Sequence, residues 1–252
     1  MDVIEKLYNN WLWFMTMSEE EKYKPPKPDK ADVAHAVTRS GLGAIPIAGT
    51  ASVELLNAIV TPSLEKRKSE WMELIGEGLR ELEQKMEIVL DSLQTNDSFT
   101  DIALEASQIA IRTSSKEKHE ALRNAVLNSA LPSPIEESMQ RMFLSFVDTF
   151  TVWHIKLLHL FSDPEKFLQE NSANLGNLSL GAPAHLVEAA YPELRGRRDI
   201  YDLVWKDLNS RALVNLDTLH IMMTGSGVVA KRTTEIADLF LNFIRSPFED
   251  EP

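Results

Sequence analysis

Residues 63–93 carry the sequence pattern that constrains the fold most strongly. Large apolar residues recur there in steps of three and four, which places them on one face of an α-helix. The other faces are charged, and Glu81 and Lys85 have the i,i+4 spacing that stabilises a helix. We therefore predict a long amphipathic helix whose buried stripe consists of Trp71, Ile75, Leu79, Leu82, Met86, Val89 and Leu93.

Capping residues mark the starts of the helices that follow. Residues 96–98 (Asn-Asp-Ser) are predicted to form a turn and N-cap before a helix whose apolar stripe runs from Phe99 to Ala110. Ser114 and Glu117 have the spacing of a capping box and predict the start of the next helix. After a break at Pro132, Ser133 as N-cap and Pro134 at the first helical position predict one central helix that continues to residue 161.

Shorter helices are predicted elsewhere in the chain. They cover residues 50–60, 184–190, 199–212 and 234–244. The first is expected to end at Pro62, because proline cannot continue the backbone hydrogen bonding of a helix. The stripe that the helix over residues 199–212 is expected to bury consists of Ile200, Leu203, Val204 and Leu208.

The composition fits a packed globular protein. The chain has 252 residues, of which 44% are hydrophobic and 25% are charged, and these values are typical of a folded core. It contains no cysteine, so disulfides, thiolate metal sites and cysteine nucleophiles are excluded. Its N-terminus is acidic where a signal peptide would be basic, so we expect a cytoplasmic location. The predicted fold class is mainly α: a helical bundle with a small C-terminal α+β module that contains a short β-hairpin.

Changes in local composition predict three regions. Residues 1–30 combine a short N-terminal helix with a proline-rich linker, which favours extended backbone. Residues 31–170 are expected to form the helical bundle. A polar segment at residues 171–181 then opens a C-terminal module that comprises residues 171–252.

The charge distribution marks one basic segment in an acidic protein. The net charge of −12 and the pI near 5.0 oppose non-specific binding to phosphate backbones or anionic lipid. Between Arg195 and Arg232, seven basic residues and four acidic ones give a local net charge of +3. This segment is either an ordinary solvated surface or a site for an anion, a nucleic-acid backbone or an acidic protein partner. The candidate binding residues are Arg195, Arg197, Arg198, Lys206, Arg211, Lys231 and Arg232.

The last quarter of the chain resembles the back half of a bacterial winged-helix domain. The resemblance rests on residues 203–214 (LVWKDLNSRALV) and residues 233–244 (TTEIADLFLNFI). It implies a β-hairpin within residues 215–231, with residues 224–227 at the tip of the wing. It also implies contact with nucleic acid or protein, although the helix that would enter a DNA groove has few basic residues.

A second resemblance concerns the whole chain. Its Gly- and Pro-containing helical entry followed by residues 62–83 (PSLEKRKSEWMELIGEGLRELE) resembles a set of bacterial helical proteins, some of which are grouped with abortive-infection (Abi-alpha-like) families. The resemblance implies a role in phage defence and carries no catalytic residues.

Aromatic residues are concentrated in the predicted N-terminal helix. Trp11, Trp13 and Phe14 lie on this short helix, and the proline-rich linker after it allows two arrangements. The helix either docks on the body of its own chain or binds a partner, which would create an oligomer or a complex.

Residues 36–62 combine small and apolar residues with Gly41, Gly43 and Gly49. Two interpretations remain open for this segment: a helix pair that packs closely within a folded core, and a segment that inserts into a membrane. Glu54 and Asn57 favour the first, because such polar groups are costly in hydrocarbon.

Enzyme and metal motifs receive little support. His154 and His159, with Asp148 and Asp163 nearby, supply metal-ligating residue types. However, a spacing of five residues separates the two histidines by about 140° around a helix. No Gly-x-Ser-x-Gly motif or phosphate-binding loop is present, and we expect no cofactor.

These features together predict a non-enzymatic helical interaction or regulatory protein. Its expected partner is a protein, which includes a second copy of the chain, or nucleic acid bound through the C-terminal module. The alternative is a membrane-active effector that inserts residues 36–62.

Overall fold

A computed structural model describes residues 48–86, 93, 95–171 and 179–248. The chain divides into two compact units, Met1–Leu56 and Asn57–Pro252. Of the first unit, the structure describes the helical backbone of residues 48–56. The other described residues belong to the second unit.

The described part of the chain is mainly helical, which confirms the predicted fold class. It contains ten α-helices, one short 3-10 helix and two strands of two residues each. The helices are α1 (Ala48–Met86), α2 (Asp97–Arg112), α3 (Lys116–Ser129), α4 (Glu137–Thr149), α5 (Val152–Ser162), α6 (Pro164–Glu170), α7 (Pro183–Ala190), α8 (Arg198–Ser210), α9 (Gly225–Val228) and α10 (Glu235–Ile244). The strands are β1 (Leu180–Gly181) and β2 (Met223–Thr224), and the 3-10 helix is Pro192–Leu194.

Helix α1 continues through Pro62, so the predicted end of a helix at this residue is wrong. A proline removes one intrahelical hydrogen bond. Pro62 is exposed, so water is available to the carbonyl group that loses its donor. The residues that follow it are good helix formers, and they extend the helix to Met86.

Helix α1 packs on α2 and α3 through its C-terminal half. Trp71 is buried, and its indole Nε1 donates a hydrogen bond to Ser107 Oγ over 2.8 Å. Farther along, Gly78 allows a close approach, because a Cβ atom there would lie 2.9 Å from Leu127 Cδ1. The predicted stripe is therefore the packing face at Trp71 and at the fully buried Leu82.

Two predicted helix starts are one to three residues too early. The N-cap of α3 is Ser115 rather than Ser114; its hydroxyl accepts a hydrogen bond from Lys118 N and donates one to Glu117. Helix α4 starts at Glu137, because Ser133 instead accepts a hydrogen bond from Ile135 N in a local turn. Within the predicted capping turn at residues 96–98, Asn96 is the N-cap of α2, and its side chain accepts a hydrogen bond from Phe99 N.

The predicted central helix is two helices, with a break at Phe150 and Thr151. Both residues have extended backbone, which ends α4 and starts α5. The break is stabilised by His154, whose Nδ1 accepts hydrogen bonds from the Thr151 backbone N–H and hydroxyl. This contact therefore satisfies a backbone donor at the start of α5, where the helix itself supplies no acceptor.

The core of the second unit is aromatic at its centre. Rings from α4 and α10 pack together, with the ring of Phe240 5.6 Å from that of Phe143 and 5.7 Å from that of Phe146. Residues from α2, α3, α5, α7 and α8 extend the same buried cluster. This core provides the support on which the C-terminal helices are positioned.

The two strands differ from those predicted. β1 pairs with β2 in antiparallel register, with Leu180 opposite Thr224 and Gly181 opposite Met223. The predicted position of the hairpin, within residues 215–231, is therefore wrong. Residues 224–227 do not form a wing tip, since Thr224 accepts a hydrogen bond from Gly227 N and caps the short helix α9. A single antiparallel bridge between Val214 and Thr233 closes the connection before α10.

Candidate interaction surface

Helix α8 is fixed to the body by four buried side chains. Tyr201, Val204, Trp205 and Leu208 face the core. Trp205 anchors the helix, because its indole Nε1 donates a hydrogen bond to Leu216 O over 2.7 Å and its ring lies 4.7 Å from that of Phe161.

The predicted buried stripe of α8 is partly wrong. Leu203 was expected to face inward and is instead 70% exposed, while Ile200 is only partly buried. The two aromatic side chains at positions 201 and 205 bury more apolar area than Ile200 and Leu203 would, so the helix turns them toward the core. The spacing of these aromatics was the signal that the prediction missed.

The C-terminal end of α8 has an unusual backbone. Ala212 has a φ of 57°, in the left-handed region that favours glycine. Leu213 N donates to Leu208 O over 3.0 Å, which is the six-residue bond of a Schellman motif. Thr234 N donates in turn to Leu213 O, so this turn ties the end of α8 to the start of α10.

The outward face of α8 forms a ridge of four exposed residues. Asp199, Leu203, Lys206 and Ser210 are all exposed, and helical geometry places them within about 60° of arc. We call these residues the α8 ridge. At its centre an apolar side chain lies between an acidic and a basic one.

Two further exposed apolar residues follow a histidine that contacts α8. His220 Nε2 is 2.7 Å from Asp202 Oδ1, and its ring lies against Tyr201, so residue 220 is held on α8. The next two residues, Ile221 and Met222, are 45% and 62% exposed. Since isolated apolar residues are common on surfaces but groups of them mark binding sites, we treat Ile221 and Met222 as a flank of the α8 ridge.

The predicted basic residues at the start of α8 are exposed and engaged locally. Arg195 Nε donates to the carbonyl of Glu188. Arg197 lies 3.5 Å from Asp199, and Arg198 lies 2.9 Å from Asp202. The neighbouring carboxylates therefore offset much of the positive charge that the sequence places here.

The other predicted basic residues lie farther along the chain. Lys206 is on the α8 ridge. Arg211 Nε contacts both carboxylate oxygens of Asp207, at 3.2 and 3.3 Å. Lys231 lies 2.6 Å from Asp238, and Arg232 donates to Gly227 O over 2.6 Å.

The predicted basic residues are therefore distributed along α8 and beyond it. Because α8 has 13 residues, its two ends are about 20 Å apart. Arg198 and Arg211 lie at opposite ends. The structure places both next to aspartates of the same helix, Asp202 and Asp207.

His154 forms a polar contact inside the fold. Its Nε2 lies 3.2 Å from Asp207 Oδ2, and its ring stacks on that of Phe150. Burial lowers the pKa of His154, and the nearby carboxylate of Asp207 opposes this shift. Because Nδ1 accepts hydrogen bonds from Thr151, the geometry requires a neutral ring with its proton on Nε2.

A hydroxyl, a histidine and a carboxylate in this order also occur in hydrolases. Here the same backbone contact recurs at α7, where Ala182 N donates to His185 Nδ1 over 3.1 Å. Alanine has no hydroxyl group, so this histidine contact is a way of capping a helix. The Thr151 arrangement is therefore explained by helix capping alone.

The four residues considered for a metal site do not converge on one point. His154 contacts Asp207, whereas Asp148 pairs with Arg112. His159 and Asp163 line a cleft between α5, α6 and α10. Within residues 48–86, 93, 95–171 and 179–248, no group of three or more histidine and carboxylate side chains could hold a metal ion.

Two open clefts are lined by charges of both signs. The cleft between α5, α6 and α10 has a volume of about 680 Å³ and is lined by three cations and three carboxylates, Lys166, Lys231, Arg245, Asp163, Glu170 and Asp238. The other, of about 410 Å³, lies between α2 and α4, where Arg141 pairs with Asp101 and Glu137. Its lining includes three carboxylates, Asp101, Glu105 and Asp148, and two arginines, Arg112 and Arg141. Neither cleft has the strong net charge or the apolar interior that indicates a particular ligand.

Several predicted features lie outside the described residues. These are the aromatic side chains of Trp11, Trp13 and Phe14 and the first part of the segment 36–62, residues 36–47. In the part of the chain that the structure describes, no helix is both long enough and apolar enough to cross a membrane.

The sequence and the structure were compared with known proteins. No protein-family model matches the chain, and neither curated proteins nor solved structures gave a match.

Proposed function

We propose that this chain is a non-enzymatic helical interaction protein that binds a protein partner through the α8 ridge and its flank. One observation carries the proposal: Leu203 is 70% exposed at the centre of the outward face of a rigidly held helix. A large apolar side chain gains about 1.5–3 kcal/mol on full burial, so a partner that covers Leu203 gains binding energy. The fixed orientation of α8 keeps the entropic cost of binding low.

A protein partner is favoured over nucleic acid by the charges around the ridge. Asp199, Asp202 and Asp207 lie on α8 beside Arg197, Arg198 and Arg211. They offset the charge of these arginines and so leave little net attraction for phosphate groups. Helices that enter a DNA groove present basic and polar residues to base edges and phosphates. The α8 ridge instead presents one acidic residue, one apolar residue, one basic residue and one serine.

Substitution of Leu203 by lysine distinguishes the two kinds of partner, because they predict opposite effects. An added cation would strengthen binding to nucleic acid, whereas it would weaken an apolar protein contact. Leu104→Lys is a matched control, since Leu104 is 57% exposed on α2, away from α8. Both substitutions place a lysine three or four residues after an aspartate of the same helix, which favours retention of the fold.

The experiment is capture of the tagged protein from its native cells, with and without nuclease. We expect Leu203→Lys to lose the proteins that the wild type retains after nuclease treatment, and Leu104→Lys to keep them. An unchanged set of proteins with Leu203→Lys would contradict the proposal. An increase in nuclease-sensitive nucleic acid would favour the DNA-binding alternative.

We place this interaction protein in the cytoplasm and in bacterial phage defence. The support is the absence of cysteine and the resemblance carried by residues 62–83. The test is the plating efficiency of phage on cells that express the wild type or Leu203→Lys. Equal protection by both variants would show that phage defence does not depend on the α8 ridge.

A further inference from the structure

We propose that the protein bound by the α8 ridge is a second copy of the same chain, joined in an antiparallel, two-fold symmetric contact. This inference rests on the proposed function, because it requires that the ridge binds protein. It goes beyond that proposal in naming the partner and the residues that face each other.

The ridge is complementary to itself in one orientation. Asp199 and Lys206 are seven residues apart, about 10 Å along the helix axis, with Leu203 between them. If two copies of α8 lie antiparallel, with the symmetry axis between residues 202 and 203, Asp199 of each copy faces Lys206 of the other. The two Leu203 side chains then meet next to the axis. A parallel arrangement would instead place like charges opposite each other.

The charged groups of the ridge are available for such a contact. Within the described part of the chain, Lys206 forms no ion pair, because Asp202 is paired with Arg198 and Asp207 with Arg211. Asp199 has a long contact of 3.5 Å to Arg197, and both side chains are largely exposed. Such exposed pairs contribute little and exchange readily.

Symmetry doubles each contact of the ridge. A two-fold interface uses the same surface on both copies, so one Asp199 to Lys206 pair implies a second. Ile221 and Met222 are exposed and directly follow His220, which contacts α8, and we include them in the proposed apolar contact. A single helix pair of about 20 Å buries less area than the roughly 1,200 Å² of a stable complex. We therefore expect a dimer that dissociates on dilution.

Single charge reversals test the pairing directly. Asp199→Lys gives a ridge with two lysines, and Lys206→Asp gives a ridge with two aspartates, so each variant alone repels its own copy. A mixture of the two variants restores both opposite-charge pairs. We expect sedimentation to show a concentration-dependent dimer for the wild type, monomers for each variant alone, and a heterodimer for the mixture.

Matched controls exclude a general effect of charge. Glu70→Lys and Lys66→Asp make the same changes at an exposed pair on α1. These variants should dimerise like the wild type. Circular dichroism of every variant verifies that the helices are intact.

A wild type that stays monomeric over about a hundredfold range of concentration would overturn the inference, as would variants that dimerise alone like the wild type. If the wild type is monomeric but Leu203→Lys loses captured proteins, the proposed function stands and the partner is a different protein. If neither the dimer nor the capture depends on the ridge, both proposals fail.

Discussion

Replacement of Ala212 by glycine tests the structure of the turn that ends α8. Ala212 has a φ of 57°, and an L-residue in the left-handed region costs about 1–2 kcal/mol. Glycine has no Cβ and relieves this cost, but it loses about 0.5–1 kcal/mol more backbone entropy on folding. The net expectation for Ala212→Gly is a gain of about 0.5–1 kcal/mol in the free energy of unfolding, or about 1–4 °C in Tm for a unit of this size.

The assay is urea unfolding followed by circular dichroism, with thermal unfolding in parallel. Ala130→Gly is the matched control, because Ala130 ends α3 in a right-handed conformation. This control should lose about 0.5–1 kcal/mol, since glycine there adds only an entropic cost. If Ala212→Gly were as destabilising as Ala130→Gly, the left-handed turn and the placement of α8 that depends on it would be refuted.

Two further predictions concern the packing and the pH dependence of the body. Gly76→Ala should stabilise α1 by about 0.5–1 kcal/mol. Gly78→Ala should be about 1–3 kcal/mol less stable than Gly76→Ala, because its added methyl group meets Leu127. Equal free energies of unfolding for the two variants in urea would contradict the close approach at Gly78. Burial lowers the pKa of His154 below its ordinary value of 6.5, so the unfolded chain binds more protons and stability falls as the pH drops below 6.5. His154→Gln should show a smaller loss of stability over the same pH range, and an unchanged pH profile would contradict the neutral, buried ring.

The features that were predicted correctly depend on residues that are close together in the sequence. The capping turn at residues 96–98 and the helix over residues 234–244 depend on neighbouring residues alone. The stripe through Trp71 and Leu82 repeats over many turns, so its helical period is clear.

The errors arose where distant contacts decide the local structure. The break at Thr151 depends on a buried histidine that α8 contacts through Asp207. The pairing of β1 with β2 joins Leu180 to Thr224, and a local pattern carries no information on such a partner. Leu203 faces outward because Trp205 fits the core, and that competition is decided only when the whole core is assembled.

Site-specific photo-cross-linking at position 203 tests the central claim most directly. A photoreactive phenylalanine analogue replaces Leu203 in one variant and Leu104 in the control, and cells that express each variant are irradiated. We expect position 203 to form a protein adduct and position 104 to form none. If the partner is a second copy, the adduct consists of two 28.5-kDa chains. Adducts to nucleic acid alone, or no adduct at position 203, would contradict a protein-binding surface on α8.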